Sequence, residues 1–511
     1  MLIILLLLLL PTQYLMFKGY KSLDGRIHAE RISQFHEAIN LGQFPVRLAP
    51  SLIEGIGYPL FVVNYQLPYY FAEPFMLVKN DAMFAYKMVM AVSYLLSGII
   101  LFFLFREVDS GFAALTGAVI FSYLPYRFGD LYMRGAFGEL VSMMFVPAVL
   151  LAMHKVTQGN KLPVLFLALS VFGLITSHTV IFLMFSPLLL FYIPLILKPK
   201  MRQLKLIIVG IIFGILLSSF QLLPAIVEKS FMKFDQRLVD LYPNFFVNIF
   251  QLLRIPKVGI NTGTYFQIGI VSTLVIVLSM VLFLIKRNSF VLFFLFFALI
   301  SIILTQEASS WFWKNIPLMS YILYPYRFLL MTILSVAFLG VFIVNKSKPK
   351  LFIALILIFL TIYTNRHFIK IAPWFEIRPP ANLTTQDEYD TIWSNEETFK
   401  LRPLVISSGN EKIDIFKNEP FKVSFEVQVE QPADITVRKM YFPGWRAKVN
   451  NNSYPINIKN GLISLELHPG NSKVDIFFAE SLLRKVANLI TLFSFLILIA
   501  IFIRFQTLSK T

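Results

Sequence analysis

Apolar residues gather along this chain into runs of roughly 20, the length at which a helix crosses a bilayer. The runs lie at about 1–17, 82–105, 111–126, 139–155, 163–177, 179–197, 205–223, 265–285, 290–304, 321–345, 351–364 and 484–503. They predict about twelve transmembrane helices, with 163–197 read either as one tilted hairpin or as two crossings. The first run begins at Met1 with no basic stretch before it, and no small-residue cleavage site precedes Lys18. A membrane helix is expected there rather than a removable signal peptide. Past residue 400 the period changes to two. FKVSFEVQVE (421–430) alternates, ADITVRKMYF (433–442) and LISLELHPG (462–470) alternate loosely, and KVDIFF (473–478) closes the series. Pro443-Gly444, Asn450-Asn451-Asn452, Asn460-Gly461 and Pro469-Gly470 supply turns between them. The expected fold class is a mainly α, polytopic integral membrane protein with a C-terminal β-sandwich-like domain.

Composition agrees. Of 511 residues, 57% are hydrophobic and 15% charged, where a soluble domain carries about 25% charged residues. A soluble globular enzyme is excluded. The net charge of +17 comes from short Lys and Arg tracts beside apolar runs, where membrane topology accounts for them and nucleic acid does not. With no cysteine in the chain, disulfides, thiolate catalysis and Cys-ligated metals drop out. The tracts Lys198, Lys200, Arg202 and Lys205, then Lys286 and Arg287, then Lys346, Lys348 and Lys350 are cytoplasmic by the positive-inside rule. That choice makes 1–364 a transmembrane domain with external loops 18–80, 127–138, 224–263 and 305–320. It makes 365–483 an extracytoplasmic domain with a β core from about 400, and 484–511 a final helix and cytoplasmic tail.

Candidate chemistry concentrates in the external segments. Behind the first span, KGYKSLDGRIHAERISQFHEAINLGQFPVRLAP predicts a helix over 25–41 with Asp24 as N-cap and Gly42 as stop. Asp24, His28 and Arg31 then share one face at spacings of four and three. Ile27, Ile32, Phe35 and Ile39 are expected to lay a face of the helix on the membrane surface. Two readings of Asp24 stand side by side: a cap alone, or a general base held at the membrane boundary by a nearby cation. In the second, His28 orients the base or helps to hold a metal ion. The tyrosines Tyr58, Tyr65, Tyr69 and Tyr70 of GYPLFVVNYQLPYYF fit a headgroup-level aromatic belt better than a sugar-stacking surface.

The segment PYRFGDLYMRGAFGELV brings Arg127, Asp130, Arg134 and Glu139 between two spans. Arg127 with Asp130 reads as an ion pair and Glu139 as a favourable charge at a helix start. The arginines read equally as a grip on a lipid phosphate. Tyr324-Pro325-Tyr326-Arg327 echoes Tyr123-Leu124-Pro125-Tyr126-Arg127, each leading into a helix. His178 reads alone as a packed histidine, with Gln221 and Glu228 as further polar groups on the same side. The chain has no phosphate loop, no HExxH and no Gly-x-Ser-x-Gly, and its six histidines show no zinc-ligand spacing.

Taken in order, Asp24-x-x-x-His28, Gly42-x-Phe44-Pro45-x-Arg47, Gly57-Tyr58-Pro59-Leu60-Phe61, Pro125-Tyr126-Arg127, Arg134-Gly135-Ala136, Ser177-His178, Leu223-Pro224-Ala225 and Pro325-Tyr326-Arg327-Phe328 resemble the bacterial membrane proteins labelled 6-pyruvoyl-tetrahydropterin-synthase-related. Tyr441-Phe442-Pro443-Gly444-Trp445 is similar to the extracytoplasmic domain of the related YfhO-type proteins. An acidic residue in the first external loop, many spans and a C-terminal external domain also resemble the GT-C membrane glycosyltransferases. The resemblance implies a multi-pass protein of the bacterial plasma (inner) membrane. It implies a hexosyl- or pentosyltransferase moving a sugar from a polyprenyl-phosphate donor to a glycan, lipid or protein acceptor. Asp24 would be its catalytic base, and His28, Arg31, Arg127, Asp130, Arg134, Glu139, His178 and Arg327 its substrate-binding residues. No cofactor is required by this pattern, a divalent metal ion stays open, and no nucleic acid is involved. The chain departs from GT-C enzymes in carrying Gly25, not a second acid, after Asp24. The pterin label does not transfer, because pterin synthesis needs a soluble histidine–zinc site. The competing expectation is a non-catalytic carrier, flippase or assembly factor for lipid-linked glycans, which predicts ionisable groups deep within spans. The central halves of most spans are nearly free of them.

Overall fold

In the computed structural model, the described residues are 1–18, 22–108, 111–159, 162–233, 241–253, 266–370, 389–400, 403–409 and 411–508. Of the expected external segments, 19–21, 234–240, 254–263 and 371–388 lie outside them. Among the described residues seven helices are long and apolar enough to cross a membrane: Ala82–Val108, Phe137–Thr157, Thr179–Leu197, Gly269–Lys286, Pro325–Lys346, Lys350–Phe368 and Leu482–Ile503. Two bent pairs raise the number to nine if each is one span: Met201–Leu217 with Ser219–Phe231, bent by 65°, and Ser289–Leu304 with Glu307–Asn315, bent by 95°. Leu2–Gln13, Gly111–Tyr123 and Pro163–Ser177 are shorter apolar helices. Each of these helices overlaps an apolar run of the sequence except Glu307–Asn315, which falls in the expected external loop 305–320. The run at 163–197 divides into two helices because His178 is extended (φ −167°, ψ 97°) and interrupts the backbone ladder.

Polar and basic groups separate to opposite ends of this bundle. Tyr86 of the Ala82–Val108 helix sits beside Ser22 and Gly135, and at the far end of the same helix Glu107 pairs with Lys155 at 2.6 Å. Helix between Tyr86 and Glu107 rises about 30 Å, the thickness of a bilayer's hydrocarbon. Gln203 donates to the Thr157 carbonyl, so the basic tract at 198–205 shares the Lys155 end.

The C-terminal strands are β1 (Val405–Ser407), β2 (Lys412–Glu419), β3 (Lys422–Val429), β4 (Ala433–Met440), β5 (Trp445–Val449), β6 (Asn452–Tyr454), β7 (Asn457–Lys459), β8 (Leu462–Leu467) and β9 (Gly470–Phe478). They form two antiparallel sheets, ordered β1-β4-β8-β7 and β2-β3-β9-β5-β6. Alternation buries Val423, Phe425, Val427, Val474 and Ile476 in one sheet and Ile435, Val437, Leu465 and Leu467 in the other, as face-to-face sheets require. Asn450-Asn451 (φ 48° and 68°) and Asn460-Gly461 (φ 50° and 73°) are left-handed pairs, the geometry of tight hairpin turns.

Two sets of contacts help to fasten this domain to the helices. Along β4, Met440 N–H donates to the Ile56 carbonyl (2.7 Å), Lys439 Nζ to the Gly55 carbonyl (2.7 Å) and Arg438 Nη1 to Glu54 Oε2 (2.9 Å). At the entry to the last helix, Arg484 Nε donates to Glu228 Oε2 (2.8 Å) and Nη2 to the Pro443 carbonyl (2.8 Å), with the guanidinium over Phe442 and Phe478. Beside it Arg47 donates to Glu480 (3.1 Å), the Phe220 carbonyl (2.9 Å) and Asn488 (3.1 Å). Arg484 and Glu228 are both buried, so removing one strands the other's charge. Glu228→Ala is expected to cost on the order of 3–5 kcal/mol, seen as a lowered thermal-unfolding midpoint in detergent. The paired change Glu228→Leu with Arg484→Met should recover most of the loss.

Candidate functional site

Two short backbone contacts bring the first polar loop to the second. Leu23 N–H donates to the Met133 carbonyl and Asp24 N–H to the Arg134 carbonyl, each at 2.8 Å. Tyr86 Oη donates to the Gly135 carbonyl at 3.2 Å and lies 3.5 Å from Ser22 Oγ. A Cβ on Gly135 would fall 2.4 Å from Ser22 Oγ, and one on Gly25 would fall 2.3 Å from it. Glycine at both positions is what lets the segments touch.

The helix Gly25–Asn40 forms as the sequence predicts, and Gly42 follows it with φ 81°. Asp24 occupies the N-cap position, but its side chain makes no cap hydrogen bond. The carboxylate is half-buried and feels the charge of Arg134 first and then of Arg31, with smaller effects from Glu139 and Arg327. Burial raises the Asp24 carboxyl above its ordinary range, against the pull of the two nearer guanidinium groups. One turn along, His28 is buried among Tyr65, Tyr86 and Phe137, with Nδ1 3.4 Å from Tyr69 Oη. Burial, reinforced by Arg31, holds its imidazole well below its ordinary value, so His28 is neutral at pH 7. The Arg31 guanidinium lies 5.4 Å from the centre of the Tyr389 ring.

A buried charge network underlies this surface. Arg134 Nη1 donates to Glu139 Oε2 (2.7 Å) and Nη2 to Glu139 Oε1 (2.8 Å), while Nη1 also reaches Asp130 Oδ1 (2.8 Å). Arg327 Nε donates to the same Glu139 Oε1 (2.7 Å), and Arg327 Nη1 to the Ile322 carbonyl (2.6 Å). Tyr126 and Tyr326 flank Arg134: its Nη1 lies 3.3 Å from Tyr126 Oη and its guanidinium 5.0 Å from the centre of the Tyr326 ring. Burial and the Glu139 charge raise the Asp130 carboxyl above its ordinary range, opposed by Arg134 and Arg127. His178 stacks on Tyr65 (5.4 Å), and its Nδ1 accepts from Ile181 N–H at 3.4 Å, capping the helix after the break.

The structure therefore gathers Asp24, His28, Arg31, Asp130, Arg134, Glu139, His178 and Arg327, and leaves Arg127 aside. Arg127 does not pair with Asp130, which bonds Arg134 instead; it donates to Ser97 Oγ (2.9 Å) and lies between the Tyr94 and Phe121 rings at 4.7 and 4.6 Å. Aromatic faces and a neighbouring hydroxyl hold the cation, and Asp130 acts on it through its charge without an ion pair. Nor does the Gly25–Asn40 helix lie on the membrane surface. Ile32 and Phe35 are fully buried, Phe35 against Phe61, Tyr69 and Tyr70. The aromatic-belt reading of 57–71 fails for Tyr58 and Tyr69, which are wholly inside the protein, while Tyr65 and Tyr70 are partly exposed. Sequence reasoning passed over Tyr86 and Ser22, whose role depends on a contact 49 residues away in the chain. Among the described residues, no three His, Cys, Asp or Glu side chains are grouped to hold a metal ion.

The family model described as "6-pyruvoyl-tetrahydropterin synthase related domain; membrane protein" matches residues 63–371. That span contains Arg127, Asp130, Arg134, Glu139, His178 and Arg327 and begins after Asp24. No curated protein matches the chain. Among solved structures, the apo form of an oligosaccharyltransferase from Archaeoglobus fulgidus is similar at 15% identity and TM-score 0.46, over 72% of this chain and 55% of that one. The form of that enzyme complexed with Zn and sulfate is similar at 12% identity and TM-score 0.40, over 72% and 52%. The form tethered to an acceptor peptide gives 13% identity and TM-score 0.40, over 72% and 54%. The chain spans about half the length of the oligosaccharyltransferase structures it matches.

Among the described residues, Glu139 is the carboxylate shared by Arg134 and Arg327. Glu139→Gln should lower the unfolding midpoint on the scale of a broken buried ion pair, about 3–5 kcal/mol. Asp130→Asn, which leaves Arg134 its two bonds to Glu139, should lower it by less in the same thermal-unfolding assay.

Proposed function

The chain belongs to the 6-pyruvoyl-tetrahydropterin synthase related membrane proteins, and on that premise we propose that it is a membrane glycosyltransferase. In this reading it moves a sugar from a polyprenyl-phosphate donor to a glycan, lipid or protein acceptor on the extracytoplasmic side of a bacterial plasma membrane. The observation that carries the reading is the Asp24 carboxylate: half-buried, released from capping, and set among guanidinium groups at the end of the bundle opposite the Lys155 tract. A carboxyl raised above its ordinary range is a better proton acceptor near neutral pH than a solvated one. The ordered motifs of the sequence point the same way. The pterin chemistry named in the family description finds no histidine ligand set among the described residues.

The proposed reaction is a single displacement. The acceptor hydroxyl oxygen attacks the anomeric carbon, its proton passes to Asp24, and the bond from that carbon to the phosphate oxygen breaks with its electron pair going to the phosphate. Polyprenyl phosphate leaves as a stable anion, so it needs positive charge more than a proton. Arg134 is committed to Glu139 and Asp130 through both terminal nitrogens, which moves this role to the Nη2 edge of Arg327, for which no bond is seen among the described residues. His28, neutral, packs beside the base. No step runs through a metal ion. The second reading, a non-catalytic carrier, flippase or assembly factor for lipid-linked glycans, is favoured by one observation: Glu139 and Asp130 already neutralise Arg134 and Arg327.

Proteoliposomes supplied with radiolabelled polyprenyl-phosphate sugars test the proposal. Wild-type protein should transfer sugar, and Asp24→Asn at matched folding should lose about a thousandfold, within the range for a general base. Transfer should rise with pH through a midpoint above the ordinary carboxylate value, because Asp24 must be ionised to accept the proton. Transfer unchanged in Asp24→Asn would reject Asp24 and keep the enzyme. No transfer from any donor, with polyprenyl phosphate still bound, would move the conclusion to the carrier reading.

A further inference from the structure

The Ser289–Leu304 helix starts next to Arg287, where the Asn288 side chain accepts from the Phe290 and Val291 N–H groups. Its 16 residues rise about 24 Å, most of the roughly 30 Å of hydrocarbon in a bilayer. It ends on the side of the candidate site, since Ser301 Oγ lies 2.8 Å from Thr332 Oγ1, a little over one turn beyond Arg327. There the chain turns by 95° into Glu307–Asn315. A helix set at a right angle to a nearly complete span runs along the membrane plane and not across it. Thr305-Gln306-Glu307 puts polar groups at the bend, which suits the boundary of the hydrocarbon and not its interior. The protein side of this segment is firmly mounted. Trp313 is buried, its Nε1 donates to the Leu304 carbonyl at 3.1 Å, and its ring meets Tyr242 stacked at 5.5 Å and Phe328 edge-on at 6.0 Å. Val247 N–H donates to the Thr305 carbonyl at 2.8 Å.

The remaining faces are apolar and open: Trp311 is 64%, Leu318 55%, Phe312 40% and Ile316 38% exposed. Four large apolar side chains left uncovered within eight positions would form a costly patch in water. They follow directly in the chain on Leu292, Phe296 and Ile303, the exposed side chains of the span itself, so the surface facing lipid runs on into them. Lys314 and Asn315, both exposed, lie about one turn from Trp311, and an aromatic ring beside a cationic tip is the composition of the headgroup level. We propose that 307–320 is an interfacial platform whose partner is the lipid surface of the surrounding bilayer, with Trp311, Phe312, Ile316 and Leu318 set among headgroups and upper acyl chains. Trp313 ties the platform to Phe328, the neighbour of Arg327, and Arg327 Nη1 bonds the Ile322 carbonyl just past it at 2.6 Å. Where the platform sits therefore decides how far Arg327 lies from the level of lipid phosphates. The platform's place in the bilayer is independent of the glycosyltransferase reading.

The test measures depth. The chain has no cysteine, so single cysteines can be introduced into the full-length protein without removing any. Trp311→Cys, Phe312→Cys and Leu318→Cys, each labelled with a nitroxide, are examined in liposomes by power saturation, comparing collisions with oxygen, which concentrates in lipid, and with a water-soluble nickel chelate. Phe296→Cys, near the middle of the span, and Glu426→Cys, exposed on β3, serve as hydrocarbon and water references. All three platform positions carry exposed side chains, so the labels leave the packing of Trp313 in place. Each label should meet oxygen more often than nickel and report a depth of about 5–10 Å below the phosphate level, shallower than Phe296→Cys. Labels that behave like Glu426→Cys would put the segment in water and overturn the platform. Labels as deep as Phe296→Cys would make it a re-entrant segment, and labels shielded from both reagents would mean that a protein surface covers it; either result overturns the proposal as well. Sugar transfer does not enter the readout, so failure of the glycosyltransferase reading and failure of this one remain distinguishable.

Discussion

One buried carboxylate holds this end of the bundle together. Glu139, in the first turn of the Phe137–Thr157 helix, receives three charge-assisted hydrogen bonds from two arginines on two different segments. At the mouth of a helix bundle an unpaired charge is expensive, and a pair buried together is tolerated only when its hydrogen bonds are made. Glu139 meets that condition for Arg134 and Arg327 at once. The position of Asp24 follows from it, because Asp24 and Leu23 hang by their amide groups from the carbonyls of Arg134 and Met133. A site built this way is located by electrostatics between spans and only then shaped by the loop that carries Asp24.

This arrangement explains the echoed tripeptides. Pro125-Tyr126-Arg127 and Pro325-Tyr326-Arg327 both form short helical turns, and their tyrosine rings come within 6.5 Å of each other around Arg134. Their arginines diverge, one to Glu139 and the other to Ser97 and two aromatic faces. The repeated element is thus a proline-started turn that delivers a tyrosine to a shared cation. The sequence made the two look equivalent because three residues encode the turn and not the neighbour it meets.

The same distinction separates what could be read in the chain from what could not. Apolar runs, the Gly25–Asn40 helix with its Gly42 stop, and strands β3, β4, β8 and β9 are local patterns, and each formed where the pattern stood. β2 was invisible because it is an edge strand with little buried surface and so no alternation. Asp24, His28 and Arg31 shared a face by helical spacing alone, and they do so in the structure. The partners of Glu228, Arg47 and Tyr58 lie hundreds of residues away in Arg484, Glu480 and Asp390. No periodicity carries that information, because it is decided by which helices become neighbours. Ile32 and Phe35 were assigned to lipid for a related reason: an apolar stripe states that a face is buried and is silent on whether lipid or protein covers it.

The charge balance of the site bears on how it would treat an anion. Arg134 and Arg327 are matched by Glu139 and Asp130, so this network presents little net field to a ligand. Arg134 and Arg31 both act on Asp24 through their charges. While Asp24 is ionised its charge offsets theirs, and in the proposed reaction the donor enters with that acid charged. The acceptor's proton then moves to Asp24 as the phosphate bond breaks, which removes a negative charge from beside these guanidinium groups while negative charge collects on the leaving group. The field then favours the transition state and products over the bound donor, as catalysis by differential binding requires. In that reaction an acid set among cations couples proton transfer to leaving-group stabilisation without a second acidic residue after Asp24.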